Sequence, residues 1–195
     1  MNMNTEAIIA IRKALQTSLK ASRYTHTLGV EVTAIELARQ HGANVYKAQI
    51  AALLHDCAKD MAHKKALAIC KSYGVSLTKA SQRNPDLVHA EVGAIVAKKI
   101  YRIEDDDVLC AIAYHTTGRP GMSLLEKIIY IADYIEPGRD KAPNLPKIRA
   151  VAKENLDDAL RYIMKDTIRY LKKQDKYINP ITIEAYAYYT KDDTR

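Results

Sequence analysis

The 195-residue sequence contains no phenylalanine and no tryptophan, and it has only three cysteines. Cys57, Cys70 and Cys110 lie far apart and in no paired spacing, which excludes a disulfide framework and a zinc site built from thiolates. Apolar runs such as 50–54 and 128–132 are far shorter than the roughly 20 residues that cross a bilayer. The start of the chain has no basic region leading into an apolar segment. We therefore expect a cytoplasmic protein that does not enter a membrane.

Glycine and proline are also scarce, and their positions indicate long helices. Seven of the thirteen Gly and Pro residues fall between 118 and 146, and the first 84 residues contain no proline. Apolar residues recur at helical spacing, as in Val30, Ala34 and Leu37, and no segment sustains a period of two. The sequence predicts an all-α fold with helices at 5–20, 22–41, 45–59, 62–73, 88–101, 105–116, 123–135, 146–174 (with a break near Lys153) and 180–190.

Two helix starts carry capping signals. Ser123 is followed three residues later by Glu126, the pattern of a capping box. Asn179 places a side-chain acceptor directly before Pro180, which favours the start of a last short helix. No linker, repeat or low-complexity segment divides the chain. We expect one helical domain over 1–195, with its core motifs in 22–139 and C-terminal helices in 146–190.

The charge balance favours an anionic partner without choosing one. Thirty Lys and Arg stand against 23 Asp and Glu, a formal net charge of +7. Such an excess suits nucleic acids, nucleotides and anionic membrane surfaces alike. The charges are interleaved along the chain, as on solvated helix faces, so nucleic acid is not the expected partner.

Histidines and acids occupy the ends and apolar faces of the predicted helices. His55 and Asp56 end a helix with a buried face, and Asp133 lies within the apolar run 128–135. A buried carboxylate needs a metal, a cation or several hydrogen bonds. Taken alone, each of these residues could be an ordinary core or surface residue, and Asp133 could pair with Arg or Lys. Together with His26, His89 and His115 they suit a first-row divalent ion such as Fe, Mn, Co or Zn.

These residues lie in five segments: 23–30 (RYTHTLGV), 52–59 (ALLHDCAK), 88–90 (VHA), 114–118 (YHTTG) and 131–139 (IADYIEPGR). The segments resemble the HD superfamily of metal-dependent phosphohydrolases. The resemblance is stronger to its YqeK branch, which is similar to symmetrical diadenosine tetraphosphate hydrolases. A bare His-Asp pair is weakly specific, but the five segments run in family order across most of the chain.

The resemblance implies a divalent transition metal, with Fe the expected ion and Mn, Co and Zn as alternatives. Its implied ligands are His26, His55, Asp56 and Asp133. His89 and His115 either complete a second metal site that shares Asp56 or face the substrate phosphates, and the residues leave both alternatives open.

Other residues are candidates for catalysis and substrate binding. Asp56 and Lys59 are the catalytic candidates, since Lys59 can offer an ammonium to a phosphate beside the metal, although a solvated lysine is the alternative. Arg139 follows Pro137 and Gly138 and is a candidate phosphate ligand. The remaining candidates for substrate contact are Thr116, Tyr177 as a stacking partner in the segment 176–181, and His26, His89, His115 and Asp133 of the metal-binding set.

The expected reaction is cleavage of the central anhydride of a dinucleoside tetraphosphate, which converts diadenosine tetraphosphate into two ADP. The small-molecule nucleotide is the expected partner, and the oligomeric state, including a homodimer, is left open. Two alternatives remain at this point. One is a different nucleotide phosphatase of the HD superfamily, and the other is a non-catalytic helical module that contains metal and binds nucleotides or RNA.

Overall fold

The computed structural model describes residues 3–75, 77 and 85–191, and these contain helices but no strand. The all-α prediction is therefore confirmed. The described residues form ten helices: α1 Met3–Ser18, α2 Ala21–Gln40, α3 Val45–Leu54, α4 His63–Ser72, α5 Pro85–Lys99, α6 Asp106–Tyr114, α7 Leu124–Ile135, α8 Leu145–Glu154, α9 Leu156–Lys173 and α10 Pro180–Thr190.

One predicted helix ends earlier than expected, and another is divided close to the expected break near Lys153. The helix predicted over 45–59 stops at Leu54, and the chain continues through turns closed by bonds such as Lys59 N to Asp56 O, at 2.9 Å. The helix predicted over 146–174 is two helices that meet at Asn155. This residue leaves the helical conformation (φ −146°, ψ 111°), and its side chain accepts hydrogen bonds from the backbone of Asp157 and Asp158. One asparagine thus ends α8 and caps α9.

Both predicted capping signals are present. Ser123 accepts from the backbone N–H of Glu126, and the Glu126 carboxylate accepts in return from the Ser123 N–H. Arg119 also donates two hydrogen bonds to Glu126, at 2.6 and 2.7 Å. At the last helix, Asn179 accepts from the backbone N–H of Ile181. These bonds fix the starts of α7 and α10.

Helix α7 lies at the centre of the bundle and is packed by α2, α3, α6 and α9. Ile128, Ile129 and Ile131 are fully buried, and they form the apolar side of a helix whose other side carries Glu126, Lys127 and Asp133. The C-terminal helices contribute Ala152, Leu160 and other residues to the same core. None of the helices described is long and apolar enough to span a bilayer.

Candidate metal centre

Five helix ends meet at one end of the bundle and bring six predicted side chains together. The N-terminal parts of α2 and α5 and the C-terminal ends of α3, α6 and α7 supply them. Their ligand atoms form three overlapping groups within each of which all atoms lie within 4.8 Å of one another. The six residues are His26, His55, Asp56, His89, His115 and Asp133.

Asp56 lies in the middle of this cluster, with its side chain 4% exposed. Oδ1 is 3.1 Å from His89 Nε2 and 3.5 Å from His115 Nε2. Oδ2 is 3.4 Å from His55 Nε2 and 3.9 Å from His26 Nε2. Burial alone would raise the pKa of Asp56, but the surrounding imidazoles, His55 first, outweigh it and lower the pKa well below its ordinary value. Asp56 is therefore a carboxylate at neutral pH.

Two histidines are oriented by the last turns of their own helices. His55 Nδ1 donates to the carbonyl of Ala52 at 2.6 Å, and His115 Nδ1 donates to that of Ile112 at 2.8 Å. Each histidine follows the last residue of a helix and bonds to the carbonyl three residues earlier. With Nδ1 holding the proton, the lone pair of Nε2 points into the cluster, where a metal would bind it.

His26 is oriented by a residue that the sequence did not single out. Oε1 of Glu136 is 3.1 Å from His26 Nδ1, and the Glu136 side chain is 5% exposed. Its Oε2 accepts the backbone N–H of Gly138. A carboxylate bonded to the outer nitrogen of a metal-ligating histidine is a common arrangement that fixes the ring and increases its basicity. Glu136 lies inside the quoted segment 131–139, three residues after Asp133 and before Pro-Gly, and that placement is the signal that could have indicated it.

Asp133 is less isolated than its apolar flanks suggested. Its side chain is 21% exposed, and Oδ1 is 3.0 Å from His26 Nε2 and 2.8 Å from Arg139 Nη2. Burial alone would raise the pKa of this carboxyl, but the nearby imidazoles, His26 first, outweigh it and lower the pKa well below its ordinary value. Asp133 therefore pairs with an arginine, one of the alternatives that the sequence leaves open, because the turn after α7 returns Arg139 to it.

The cluster fits a divalent cation. His55 Nε2 is buried and makes no hydrogen bond to any residue described, and His26 Nε2, although close to Asp133, is not aligned for one. A buried ring nitrogen without a partner is costly, and a metal would relieve that cost. Imidazole and carboxylate donors are the set that Fe, Mn, Co and Zn accept.

His89 differs from the other three histidines. Lys59 Nζ lies 3.4 Å from His89 Nδ1, and because an ammonium only donates, this nitrogen accepts. Nε2 then carries the proton and faces Asp56 Oδ1 at 3.1 Å and His115 Nε2 at 3.2 Å. Burial lowers the pKa of His89 to about 4, so the ring is neutral at pH 7. His89 thus offers the cluster an N–H group rather than a lone pair.

Three basic side chains surround the cluster. Arg23 Nη1 is 2.7 Å from Asp56 Oδ2, and Arg139 donates to both the carboxylate and the carbonyl of Asp133. Lys59 lies in the turns after α3 and not on a helix as predicted, and its Nζ contacts His89 of the cluster. Arg23 was quoted within the segment 23–30 but was given no role in the sequence analysis.

The last two candidates lie apart from the ligand atoms. Thr116 follows His115, and its Oγ1 is buried with no hydrogen-bond partner among the described residues. Tyr177 lies in the segment between α9 and α10, is 48% exposed and does not join the cluster. Its stacking role stays a prediction.

The sequence matches the HD domain family over residues 23–138, the stretch that contains all six clustered side chains. The chain belongs to the HD domain family. Its relatives include the symmetrical bis(5'-nucleosyl)-tetraphosphatase of Bacillus subtilis, at 42% identity over 94% of this chain and 96% of that protein. The proteins of the same name from Halalkalibacterium halodurans and Staphylococcus aureus are 43% and 36% identical, over 89% and 94% of this chain and 94% and 95% of theirs.

A solved structure of the HD superfamily has the same fold. It is the crystal structure of a predicted HD superfamily hydrolase involved in NAD metabolism from Clostridium acetobutylicum. The TM-score is 0.90 at 44% identity, and the match covers 94% of this chain and 96% of that chain. The HD fold expected from the five sequence segments is therefore confirmed.

Proposed function

We propose that this chain is a metal-dependent symmetrical bis(5'-nucleosyl)-tetraphosphatase, which cleaves diadenosine tetraphosphate to two ADP. The observation that carries the proposal is the name shared by three relatives of 36–43% identity, each aligned over at least 89% of this chain. It agrees with the reaction expected from the sequence segments. The two alternatives, another nucleotide phosphatase and a non-catalytic module, have no such support.

The proposed metal ligands are His26, His55, Asp56 and Asp133, and the proposed ion is Fe, with Mn, Co and Zn also suited to these donors. When bound, a divalent ion lowers the pKa of water towards about 7 and draws charge from a phosphate oxygen. The protonation states of these side chains suit metal binding. Asp56 and Asp133 are held as carboxylates, and the buried Nε2 atoms of His26 and His55 are left without hydrogen bonds.

Of the two roles open for His89, the contact with Lys59 favours the one towards substrate. Because His89 Nε2 carries a proton, it can donate to a phosphate oxygen. Lys59 places a positive charge beside Nδ1 of the His89 ring and is a second hydrogen-bond donor on the same side of the cluster. Donors that are fixed before the reaction stabilise the charge that grows on the leaving oxygen. Lys59 and His89 are thus proposed to face the anhydride that is cleaved.

Arg139 and Arg23 are proposed to hold the phosphate chain at the mouth of the cluster. The Arg139 side chain is 43% exposed and that of Arg23 is 29% exposed, so both can meet an incoming ligand. Guanidinium groups bind phosphate oxygens with two parallel hydrogen bonds. In the reaction, water adds to one central phosphorus and the bridging oxygen leaves with the other, which yields two nucleoside diphosphates.

We further propose that the whole of 1–195 forms one HD-type domain, since α8 to α10 share the core of the other helices. The cytoplasm is the proposed compartment, as expected from the sparse and unpaired cysteines.

Product analysis tests the proposed reaction. Diadenosine tetraphosphate is incubated with the metal-loaded protein and the nucleotides are separated by ion-exchange chromatography. Two ADP per substrate are expected. ATP plus AMP would indicate asymmetric cleavage, and binding without any product would indicate the non-catalytic module. A parallel incubation with AMP and deoxynucleotides that releases phosphate, while diadenosine tetraphosphate stays intact, would indicate another phosphatase.

A further inference from the structure

Three cavities lie along helix α9, and neighbouring cavities share lining side chains. The first, of about 450 Å³, lies between the start of α7 and the end of α10. The second, of about 390 Å³, shares Arg161 with the first, and the third, of about 300 Å³, shares Lys165 and Tyr186 with the second. Together they form one groove, the α9 groove. It begins beside Lys127 in the first turn of α7, whereas the cluster contains Asp133 from the last turn of that helix.

The lining of the α9 groove is basic. Among its described residues, six are Lys or Arg and two are Asp. The basic residues are Lys127, Arg161, Lys165, Arg169, Lys172 and Lys191. Four of them follow one another on α9 at intervals of three or four residues, which places them on one side of the helix over about 17 Å.

The two aspartates neutralise only one end of the groove. Asp157 and Asp158 lie in the first turn of α9, and each is paired with a basic residue of the lining, at 2.6 and 2.7 Å. Further along α9, Lys165 and Lys172 form no ion pair with any residue that the structure describes. That part of the groove therefore keeps its positive charge.

Charge patterning along the chain did not indicate this surface. Residues 159–173 contain one acid, Asp166, and its side chain is 3% exposed. It accepts a hydrogen bond from Asn144 at 2.8 Å, and Nη1 of Arg169 is 3.8 Å away. Because the fold buries the acid that interrupts the basic residues, the exposed side of this segment is positive.

Tyrosine rings lie among these charges. Tyr188 is 46% exposed, and Tyr162 and Tyr186 are half-buried. Lysine ammonium groups lie 4.2 Å from the ring centroid of Tyr162 and 5.8 Å from that of Tyr188, so charge and ring are adjacent. Proteins that bind single strands combine a basic groove with aromatic rings on which bases stack. A duplex or an acidic peptide would meet the charges but has no unpaired base for the rings.

We propose that the α9 groove binds a single strand of nucleic acid. The phosphates lie along Lys165, Arg169 and Lys172, and bases stack on Tyr186 and Tyr188. No residue of the metal cluster lines the groove, so this binding requires neither the metal nor hydrolysis at the cluster.

The test compares strands with and without bases. Binding of a labelled oligodeoxyadenylate of about 12 nucleotides, within the site sizes of such proteins, is measured by fluorescence anisotropy over a range of salt concentrations. A strand of the same length without bases is the second probe. The variants are Lys165→Gln combined with Lys172→Gln, and Tyr188→Leu.

The matched controls change exposed side chains outside the groove. They are Lys64→Gln combined with Lys98→Gln, which has the same net charge as the double groove variant, and Tyr73→Leu. The groove variants should cleave diadenosine tetraphosphate as the wild type does. Loss of hydrolysis in the wild type would refute the proposed function and leave the binding measurement unaffected.

The wild type should bind the strand with bases more tightly than the strand without them. The double lysine variant should reduce the slope of log affinity against log salt concentration by about 1.4, since each phosphate contact on a single strand contributes about 0.7. Tyr188→Leu should weaken binding of the oligodeoxyadenylate about fivefold or more, through loss of a stacked base, and should leave the second probe unchanged.

Three results would overturn the proposal: no binding by the wild type, equal affinity for the two probes, or equal losses in the groove variants and the controls. Two more would replace the occupant and overturn it as well. An oligoglutamate bound as tightly as the oligodeoxyadenylate would indicate an acidic protein partner. A dimer that dissociates in the groove variants would indicate an interface between copies of this chain.

Discussion

A methyl group on Gly29 would lie 2.5 Å from Oε2 of Glu136. Real Cβ atoms do not approach an oxygen so closely. The Glu136 carboxylate can therefore occupy this position only because residue 29 is glycine. Glu136 in turn holds Nδ1 of His26 at 3.1 Å. The glycine, one turn after His26 on α2, makes room for the carboxylate that orients the histidine.

Gly29→Ala should therefore weaken metal binding. The carboxylate must move away from His26, and loss of such an outer contact typically costs about 10- to 100-fold in metal affinity. Metal affinity is measured by competition with a chelator of known strength. Ser22→Ala, at an exposed position of the same helix, is the control and should bind metal as the wild type does. Equal metal affinity in Gly29→Ala and the wild type would show that Glu136 does not position His26.

Asp133→Asn should lose metal while leaving the metal-free fold nearly unchanged. Its partner Arg139 is 43% exposed, and pairs of this kind contribute at most about 1 kcal/mol. In chelator, the variant should melt within about 4 °C of the wild type. With metal added, only the wild type should gain in melting temperature, since a ligand that binds the folded state stabilises it. Asp140→Asn, at an exposed position nearby, is the control and should bind metal as the wild type does. If Asp133→Asn keeps its metal, Asp133 is a structural residue and not a ligand.

Lys59→Met should retain metal but lose catalytic efficiency. The substitution keeps the aliphatic stem and removes a charge-assisted donor beside His89, a loss of about 1.5–3 kcal/mol, or about 10- to 150-fold in kcat/KM. Steady-state kinetics and metal analysis are compared with Lys64→Met, an exposed lysine of α4. If the kinetic constants of Lys59→Met equal those of the control, Lys59 is a solvated side chain without a role in catalysis.

Cys57, adjacent to Asp56, should resist alkylation in the folded protein. Burial, with the Asp56 charge second, raises the pKa of this thiol from 9.0 to about 12. At pH 8 the folded thiol is protonated and unreactive, whereas the unfolded chain reacts. The raised pKa stabilises the folded state below pH 9.0, and this contribution is lost as the pH rises towards about 12. Mass spectrometry after iodoacetamide treatment, with and without guanidinium, checks the prediction; rapid labelling of folded Cys57 would contradict it.

The local features of the fold could be predicted from the sequence because their causes are local. The capping box of Ser123 and Glu126 and the cap at Asn179 depend on residues within three positions of each other. The end of α3 could not be predicted in the same way. Residues 55–59 have no glycine or proline to stop a helix, and the turns there form where His55 and Asp56 meet side chains of other helices.

The candidate site shows the same division. The histidines and aspartates could be named because each stands at a helix end or on an apolar face. The contacts that Glu136 and Arg23 make with these residues could not be predicted, because the partners are distant in sequence. Glu136 lies 110 positions from His26, and Arg23 lies 33 positions from Asp56.

The most direct test of the account is the dependence of symmetrical cleavage on metal and on Asp56. Wild type and Asp56→Ala are stripped with chelator, reloaded with Fe, Mn, Co or Zn, and assayed for ADP release from diadenosine tetraphosphate alongside measurement of bound metal. We predict that wild-type activity returns in proportion to bound metal, as two ADP per substrate, and that Asp56→Ala binds less metal and releases no ADP. Full activity in stripped protein, or near-normal ADP release by Asp56→Ala, would contradict the account.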